Sequence, residues 1–293
     1  VNYNPKVLAQ AVFFEKDQYY SYTNEQKTQK ALSELRNFKY INISYKYIHQ
    51  PDQKDDLLNC IINLSPMPKQ VLGIEAQGTN TAGNLGVSIA ATYTNKNLFK
   101  GAEYLEFRLY GGAEVSILNV SSTNATVFGP FNTFELGGQV SLLTNKFLLP
   151  IRIDKVAKWV KPKTRFSFNF NYQTRPDYNR KVGLLSFGYE WSSSNRIKHV
   201  LNPAEISYVA VDLDSAFNAY VNTVGDQFIR NSFISHYVQG ASYTFLYNSL
   251  DLNIRKDFIF FRGNLQWAGN ILGLVSAIGN DVPDAQGYHT VLG

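Results

Sequence analysis

The chain has 293 residues, a net charge of +5, 17% charged side chains, 20 Phe, 19 Tyr and 3 Trp. Soluble domains carry nearer about 25% charge, so this composition fits a surface that partly faces something other than water. No dense Lys/Arg tract lines up for a phosphate-tracking groove, which argues against nucleic acid. The single cysteine, Cys60, excludes an intrachain disulfide and a thiolate metal cluster. No run of about 20 apolar residues provides a helical membrane span. No signal peptide opens the sequence, and "VNYNPKVLAQ" reads as the interior of a longer protein.

Residues 1–68 mix element types and hold 8 basic and 7 acidic side chains. "KVLAQAVFF" reads as a short apolar strand. "YTNEQKTQKALSELRNF" reads as a helix, with Thr23 and Gln26 in the capping-box relation. Its Thr28, Ala31, Leu32 and Leu35 form one buried stripe. In "KYINISYKYI", Ile41, Ile43, Tyr45 and Tyr47 alternate with Asn42, Ser44 and Lys46. "DLLNCIINL" follows, with Cys60 among Leu58, Ile62 and Leu64 as a structural thiol. "SPMP" closes the unit, because two prolines so close cannot continue a ladder. The expectation is a β-α-β-β module, one helix layer on one sheet.

From Lys69 onward the chain reads as about nine strands of roughly 10 residues each. "QVLGIEAQGT" opens the series. Leu85, Val87, Ile89, Ala91 and Tyr93 then share one face, opposite Gly86, Ser88, Ala90, Thr92 and Thr94. Leu105, Phe107 and Leu109 oppose Tyr104, Glu106, Arg108 and Tyr110. "NTFELGGQVSLL" groups Phe134, Leu136, Val140 and Leu142. "KTRFSFNFNYQT" sets Phe166, Phe168, Phe170 and Tyr172 against Arg165, Ser167, Asn169, Asn171 and Gln173. "KVGLLSFGYEW" and "AEISYVAVD" follow, the latter with weaker parity. Ala241, Tyr243, Phe245 and Tyr247 go together, as do Ile259, Phe261, Leu265 and Trp267.

A period of two means successive side chains point to opposite sides of a sheet. Such parity fits tilted strands crossing an apolar band between aromatic girdles. It fits a soluble sandwich equally well, with the apolar face inward. Three features favour lipid. The strands are long, their polar faces carry Gly, Ser, Asn and Gln, and the connections alternate between short and long as on a barrel's turn and loop sides.

Two connections stand out. "KFLLPIRIDKVAKWVKPKTR" carries seven basic residues and one acidic residue. Around Val156, Trp159 and Val160 it reads either as an interfacial segment, with Lys158, Trp159 and Lys161 at headgroup level, or as a solvated turn. "DSAFNAYVNTVGDQFIR" spaces Ala216, Phe217, Tyr220, Val221, Val224 and Phe228 helically, as a helix capping a barrel mouth.

Catalytic constellations are absent from the pattern, and no enzyme is expected. His49, His199, His236 and His289 lack ligand spacing and read as isolated residues. Asp212 and Asp214 precede the helical stretch and suit capping better than a metal or acid–base site. No glycine loop suits a phosphate. Glycines in "GTNTAGNLG" and "LGGQ" permit bends and loosen a first strand.

The segment "LNCIINLSPMPKQVLGIEAQGTNTAGNLGVSIAATYTNKNLFKGAEYLEFRLYGGAE" resembles the joint between the final POTRA module and the barrel in the BamA/TamA outer-membrane assembly superfamily. The first hairpin with its "N-x-N-L-F-x-G-A-E" turn carries the likeness, and the sequence looks most like the TamL lipoprotein branch of Bacteroidetes. The resemblance is strong over residues 57–112 and looser afterwards.

The resemblance implies a POTRA module over 1–68 in the periplasm and the N-terminal part of a sixteen-stranded outer-membrane barrel over 69–293. It further implies a protein that inserts or translocates other outer-membrane proteins without a cofactor. Gln70, Val71, Leu72, Gly73, Ile74, Glu75, Ala76, Gln77, Gly78 and Thr79 would be the seam strand that pairs with a client strand. Lipid would meet Leu85, Val87, Ile89, Tyr93, Leu105, Phe107, Leu109, Phe166, Phe168, Phe170 and Tyr172. Partners implied are outer-membrane lipid, client outer-membrane proteins, and a TamB-like periplasm-spanning protein or accessory lipoproteins. Nine strands would leave unpaired edges in lipid, so the chain is expected to be part of a longer polypeptide or completed by another segment. A passive pore or secretion channel of the same superfamily, and a soluble β-rich adhesin, are the competing readings.

Overall fold

The computed structural model describes residues 3–49, 57–81, 84–116, 131–148, 158–250 and 257–269. Helices α1 (Pro5–Ala11) and α2 (Tyr22–Glu34) precede β1 (Phe38–Ile48) and β2 (Leu57–Pro66), which pair antiparallel as a separate two-stranded sheet. The module's described order is therefore α-α-β-β, and the first element corrects the expected β-α-β-β. "PKVLAQA" is helical because Asn4 caps it, its side chain accepting from Lys6 N–H, and Pro5 sits where a helix tolerates proline.

Helix α2 begins two residues earlier than the expected Thr23–Gln26 capping box, which places Thr23 inside the helix. Ser21 is its N-cap, with Oγ accepting from Asn24 N–H. Thr28, Ala31 and Leu32 are buried on its inner face. Ala31 and Leu32 cluster with Ala11 and Phe38, with Leu35, Ile41, Ile62 and Leu64 packed around. Thr28 Oγ1 bonds back to Asn24 C=O and accepts from Phe13 N–H, so its burial leaves no orphan polar group. Cys60 is half-buried opposite Tyr45, and burial pushes its thiol above the usual range.

The remaining strands form one antiparallel sheet of nine, each paired with its sequence neighbours. They are β3 (Gln70–Thr81), β4 (Asn84–Asn95), β5 (Tyr104–Ser116), β6 (Thr133–Thr144), β7 (Lys163–Thr174), β8 (Tyr178–Ser192), β9 (Ile197–Leu213), β10 (His236–Asn248) and β11 (Phe260–Ala268). Among the described residues β3 and β11 are the two edges and do not pair with each other. The register matches the expected parity strand for strand: Thr92, Arg108 and Gln139 stand side by side, as do Tyr93, Phe107, Val140 and Phe168. Shifts near Gly188 and Ala241 mark bulges flanking β9.

The connections do not sort into a short end and a long end. The end bearing the N-terminal module has both the 145–162 connection and the tight 193–196 turn, while the opposite end has both 175–177 and 214–235. The stretch expected as one helix over 214–230 is two, α3 (Ser215–Thr223) and α4 (Gln227–Ser232). Gly225 and Asp226 interrupt it, and Asp214 and Asp226 each cap the following helix. Phe233, just past α4, packs on Phe217 and on Tyr178 at the start of β8, at 5.1 and 5.5 Å between ring centroids.

Candidate functional site

Three features of the sheet bear on function: its apolar face, its polar face and its β3 edge. On β7, Phe166, Phe168 and Phe170 are exposed while Ser167 and Asn169 between them are half-buried. On β4 the same inversion holds, with Leu85, Val87 and Ile89 exposed and Gly86 and Ser88 half-buried. Ile89 is 61% exposed and Phe168 48%. Phe107 and Leu109 are exposed alongside them, with Leu105, Tyr93 and Tyr172 half-buried on the same face. Among the described residues no second sheet or helix layer lies across this wall.

A water-soluble sheet hides the apolar side of its pleat, because burial removes that surface from water at about 25 cal/mol per Å². Here the greasier side is the more open one. Strands β3 to β7 are 12 or 13 residues long. At about 3.3 Å per residue and a tilt near 45°, twelve residues rise about 28 Å, matching a bilayer's apolar thickness.

The opposite face is a hydrogen-bonded polar surface. Arg108 Nη2 meets Glu75 Oε2 at 3.1 Å and its Nη1 donates to Thr92, linking β5 to β3 across β4. The small side chains Ser88 and Ala90 between them leave a hollow of about 260 Å³ bordered by Glu75, Gln77, Arg108 and Tyr110. Asn171 donates to Tyr110 Oη at 3.0 Å and to Glu135 at 2.5 Å. The Tyr110 ring lies over Gly137, where a Cβ would force the ring to move. Further along, Glu190 lies among Lys198, Lys163 and Arg165, with Lys198 Nζ at 2.8 Å.

The β3 edge stands beside the N-terminal module. Gln70 to Gly78 are all exposed and Thr79 is half-buried, so both faces of the strand and its outer edge are open. In an antiparallel edge strand, alternate residues turn N–H and C=O outward without a partner. The positions read as the client-pairing seam thus lie on one strand, β3, whose outer edge has no partner strand among the described residues.

The module is fastened to the same end of the sheet. Asn37 Nδ2 donates to Lys96 C=O at 2.7 Å, and Asn4 N–H to Lys100 C=O at 2.7 Å. Lys158 Nζ reaches Val12 C=O at 2.9 Å and Lys161 Nζ reaches Glu34 at 2.7 Å. A small crevice of about 70 Å³ remains between them, lined by Ala11, Leu35, Lys158 and Pro162. Both lysines read as interfacial are therefore engaged with the module, while Trp159 between them is 48% exposed. Val156 lies outside the described residues.

The "NLFKGAE" turn receives this contact and is internally braced. Glu103 Oε2 accepts from Phe99 and Gly101 N–H at 2.9 and 3.0 Å, and Asn97 Oδ1 accepts from Ala102 N–H at 3.0 Å. These bonds hold Lys100 and Ala102 at φ of 67° and 57°, a region non-glycine residues seldom occupy. The residues that carry the family resemblance are thus the ones that shape this docking turn.

Sequence reasoning missed one cluster. His199, read as isolated, lies in β9 sandwiched between Trp191 and Tyr243. Metal-ligand clusters are absent among the described residues.

No family model matches the sequence, and no curated protein does. A crystal structure of BamA from Haemophilus ducreyi lacking POTRA domains 1–3 aligns over 98% of this chain and 74% of its own, at 7% identity and a TM-score of 0.29. With so loose a superposition, the functional reading rests on the geometry above.

Proposed function

We propose that this chain is the N-terminal part of an outer-membrane β-barrel assembly factor, with its α-α-β-β module on the periplasmic side. The exposed Phe166–Phe168–Phe170 stripe carries the reading, because an apolar wall more open than its polar reverse suits hydrocarbon and not water. The resemblance of residues 57–112 to the POTRA–barrel joint of the TamL branch supports the narrower assignment.

In lipid an unpaired backbone group costs several kcal/mol, so the β3 edge needs a partner strand. That partner is either a later strand of the natural polypeptide or a client, and exchange between the two is the insertase mechanism. A client strand added to β3 would set apolar side chains beside Leu72 and Ile74 and polar ones beside Glu75 and Gln77, following the strand's own parity. Hydrocarbon burial and backbone pairing by the client supply the driving force, without a nucleotide. TamB-like or lipoprotein partners would meet the module.

The full natural polypeptide, reconstituted in liposomes, tests this. A photo-crosslinker at Leu72 should capture a folding client barrel and accelerated client folding should accompany it, while one at Phe168 captures no client. Solute flux without faster folding would favour a passive channel. Release of the native protein by a carbonate wash would sink the membrane reading altogether.

A further inference from the structure

The polar face of the sheet is divided by charge. On β3 to β6 the register gives it Glu75, Glu106, Glu114 and Glu135, with Arg108 as their counter-charge. On β7 to β11 it gives Lys163, Arg165, Arg180, Lys198 and Arg262, set against Glu190 and Glu205. The seam side of this face is acidic and the far side basic.

The basic half is densest at the module end. Glu190 Oε1 lies 2.8 Å from Lys198 Nζ and 3.8 Å from Lys163 Nζ, and its Oε2 lies 3.7 Å from Arg165 Nη2. Among the described residues no other carboxylate is within ion-pair distance of these three cations. Three positive charges therefore share one negative charge. Like charges gathered against a low-dielectric wall repel one another and draw an anion from outside. Arg165 and Lys198 are open to one, at 56% and 45% exposure, while Glu190 is 15% exposed beneath them.

The surplus extends both ways. Arg262 stands in the row of Lys198, two strands across through Leu246. Lys163 also lines the crevice between module and sheet, beside the Lys161–Glu34 pair. From β7 to β11 the basic row spans four interstrand steps, roughly 19 Å. That is wider than one small anion. It suits an extended chain whose same-side carboxylates recur about every 7 Å. Bilayer headgroups do not reach it, because Arg165 points away from the side that carries its neighbour Phe166.

We infer that the Lys163–Arg165–Lys198 cluster is a binding site for an acidic stretch of a client polypeptide, entering the sheet's polar side from the module crevice. This rests on the assembly reading above and names a substrate class for it. Glu190 is the internal competitor that the client's carboxylates displace. The Glu-bearing half of the face keeps the same stretch away from β3.

The test uses the full natural protein in detergent micelles and two dye-labelled extended peptides, one with Glu at alternate positions and one with Gln instead. By anisotropy at low salt, the Glu peptide should bind about tenfold or more tighter than the Gln peptide, and salt should erase the difference. Arg165→Gln should weaken binding about three- to tenfold. Glu190→Gln should tighten it, a change that a merely structural Glu190 would not produce. Should Glu190→Gln fail to fold, the exposed pair Arg165→Gln and Arg262→Gln together should weaken binding more than Arg165→Gln alone. Equal binding of the two peptides, or binding unmoved by the Arg165 variants, would overturn the site. So would displacement of the Glu peptide by inorganic phosphate at equal charge concentration, which would mark a small-anion site. A protein that ignores the Glu peptide yet accelerates client folding overturns this site alone. One that binds it without accelerating client folding keeps the site and overturns the assembly role.

Discussion

The N-terminal module and the nine-stranded sheet use the same alternating pattern and bury opposite halves of it. In the module, Ile41, Ile62 and Leu64 turn toward Leu32 and Ala31, and Leu32 is fully buried. In the sheet, Leu72, Ile74, Val87 and Ile89 turn away from the protein and are 59–73% exposed. Period two reports only that two faces differ. Which face is covered depends on whether another element is available, and among the described residues the α-helix laid on strands is the module's α2 on β1.

This contrast predicts opposite responses to truncation. Leu32→Ala empties a filled site and should cost about 2–5 kcal/mol of module stability, read as a lower midpoint in denaturant. Phe168→Ala, on the open wall, should leave the protein in detergent near wild type. Equal losses at both positions would mean that the wall is covered after all.

Charge sharpens the contrast. Phe168→Arg should cost about 2–4 kcal/mol in reversible folding into a bilayer, the penalty for a cation near the midplane of a barrel's lipid face. A neutral result in lipid would contradict the lipid-facing assignment of the whole stripe.

Much of the sheet was legible because side-chain parity survives whichever way the face points. The strands from Gln70 to Thr174 and their shared faces follow directly from alternation. The first helix was misread because "KVLAQAVFF" is a short apolar run, and periodicity alone does not separate strand from buried helix at that length. The usable signal was Asn4–Pro5, a cap followed by a residue suited to the first turn. The same reasoning succeeded at Asp214 and missed Asp226, where Gly225 divides one apolar periodicity into two helices. The client-edge assignment depended on resemblance, since alternation says nothing about which strand lies at an edge. The His199 stack was invisible because its members are brought together only by the β8–β9–β10 register.

Smaller effects concern how each region is tied locally. Asp214→Ala removes the Oδ2 acceptor for Ala216 N–H and should cost about 1 kcal/mol. That loss should appear as faster amide exchange in α3 and none in the module. At the junction, a double-mutant cycle on Lys161 and Glu34, both partly exposed at 24% and 36%, should give about 0.2–1 kcal/mol of coupling. Coupling that vanishes in the folded protein at low salt would mean this ion pair adds nothing to the junction and would leave Lys158 to tie the 158–161 turn to the module.

The least of the expected changes is a pH effect confined to the module. Burial, and then the hydrogen bond to Glu25, raise the Tyr45 phenol above its ordinary value, and Tyr20 is raised by its own bond to the same carboxylate. Tyr45 and Tyr20 both donate to Glu25 Oε2 at 2.9 Å. A phenol whose folded value exceeds its unfolded one binds more protons when folded, so its contribution is fully present below about pH 10 and declines as pH rises through the raised value. Alkaline titration should therefore loosen the α2–β1 packing ahead of the strand ladder of the sheet, and Tyr45→Phe should flatten that slope. Residue-resolved amide exchange across this range separates the two regions, because the sheet's phenols Tyr110 and Tyr243 belong to a different surface. A slope unchanged in Tyr45→Phe would assign the alkaline sensitivity to some other group and remove Glu25 as the hub of the module's outer edge.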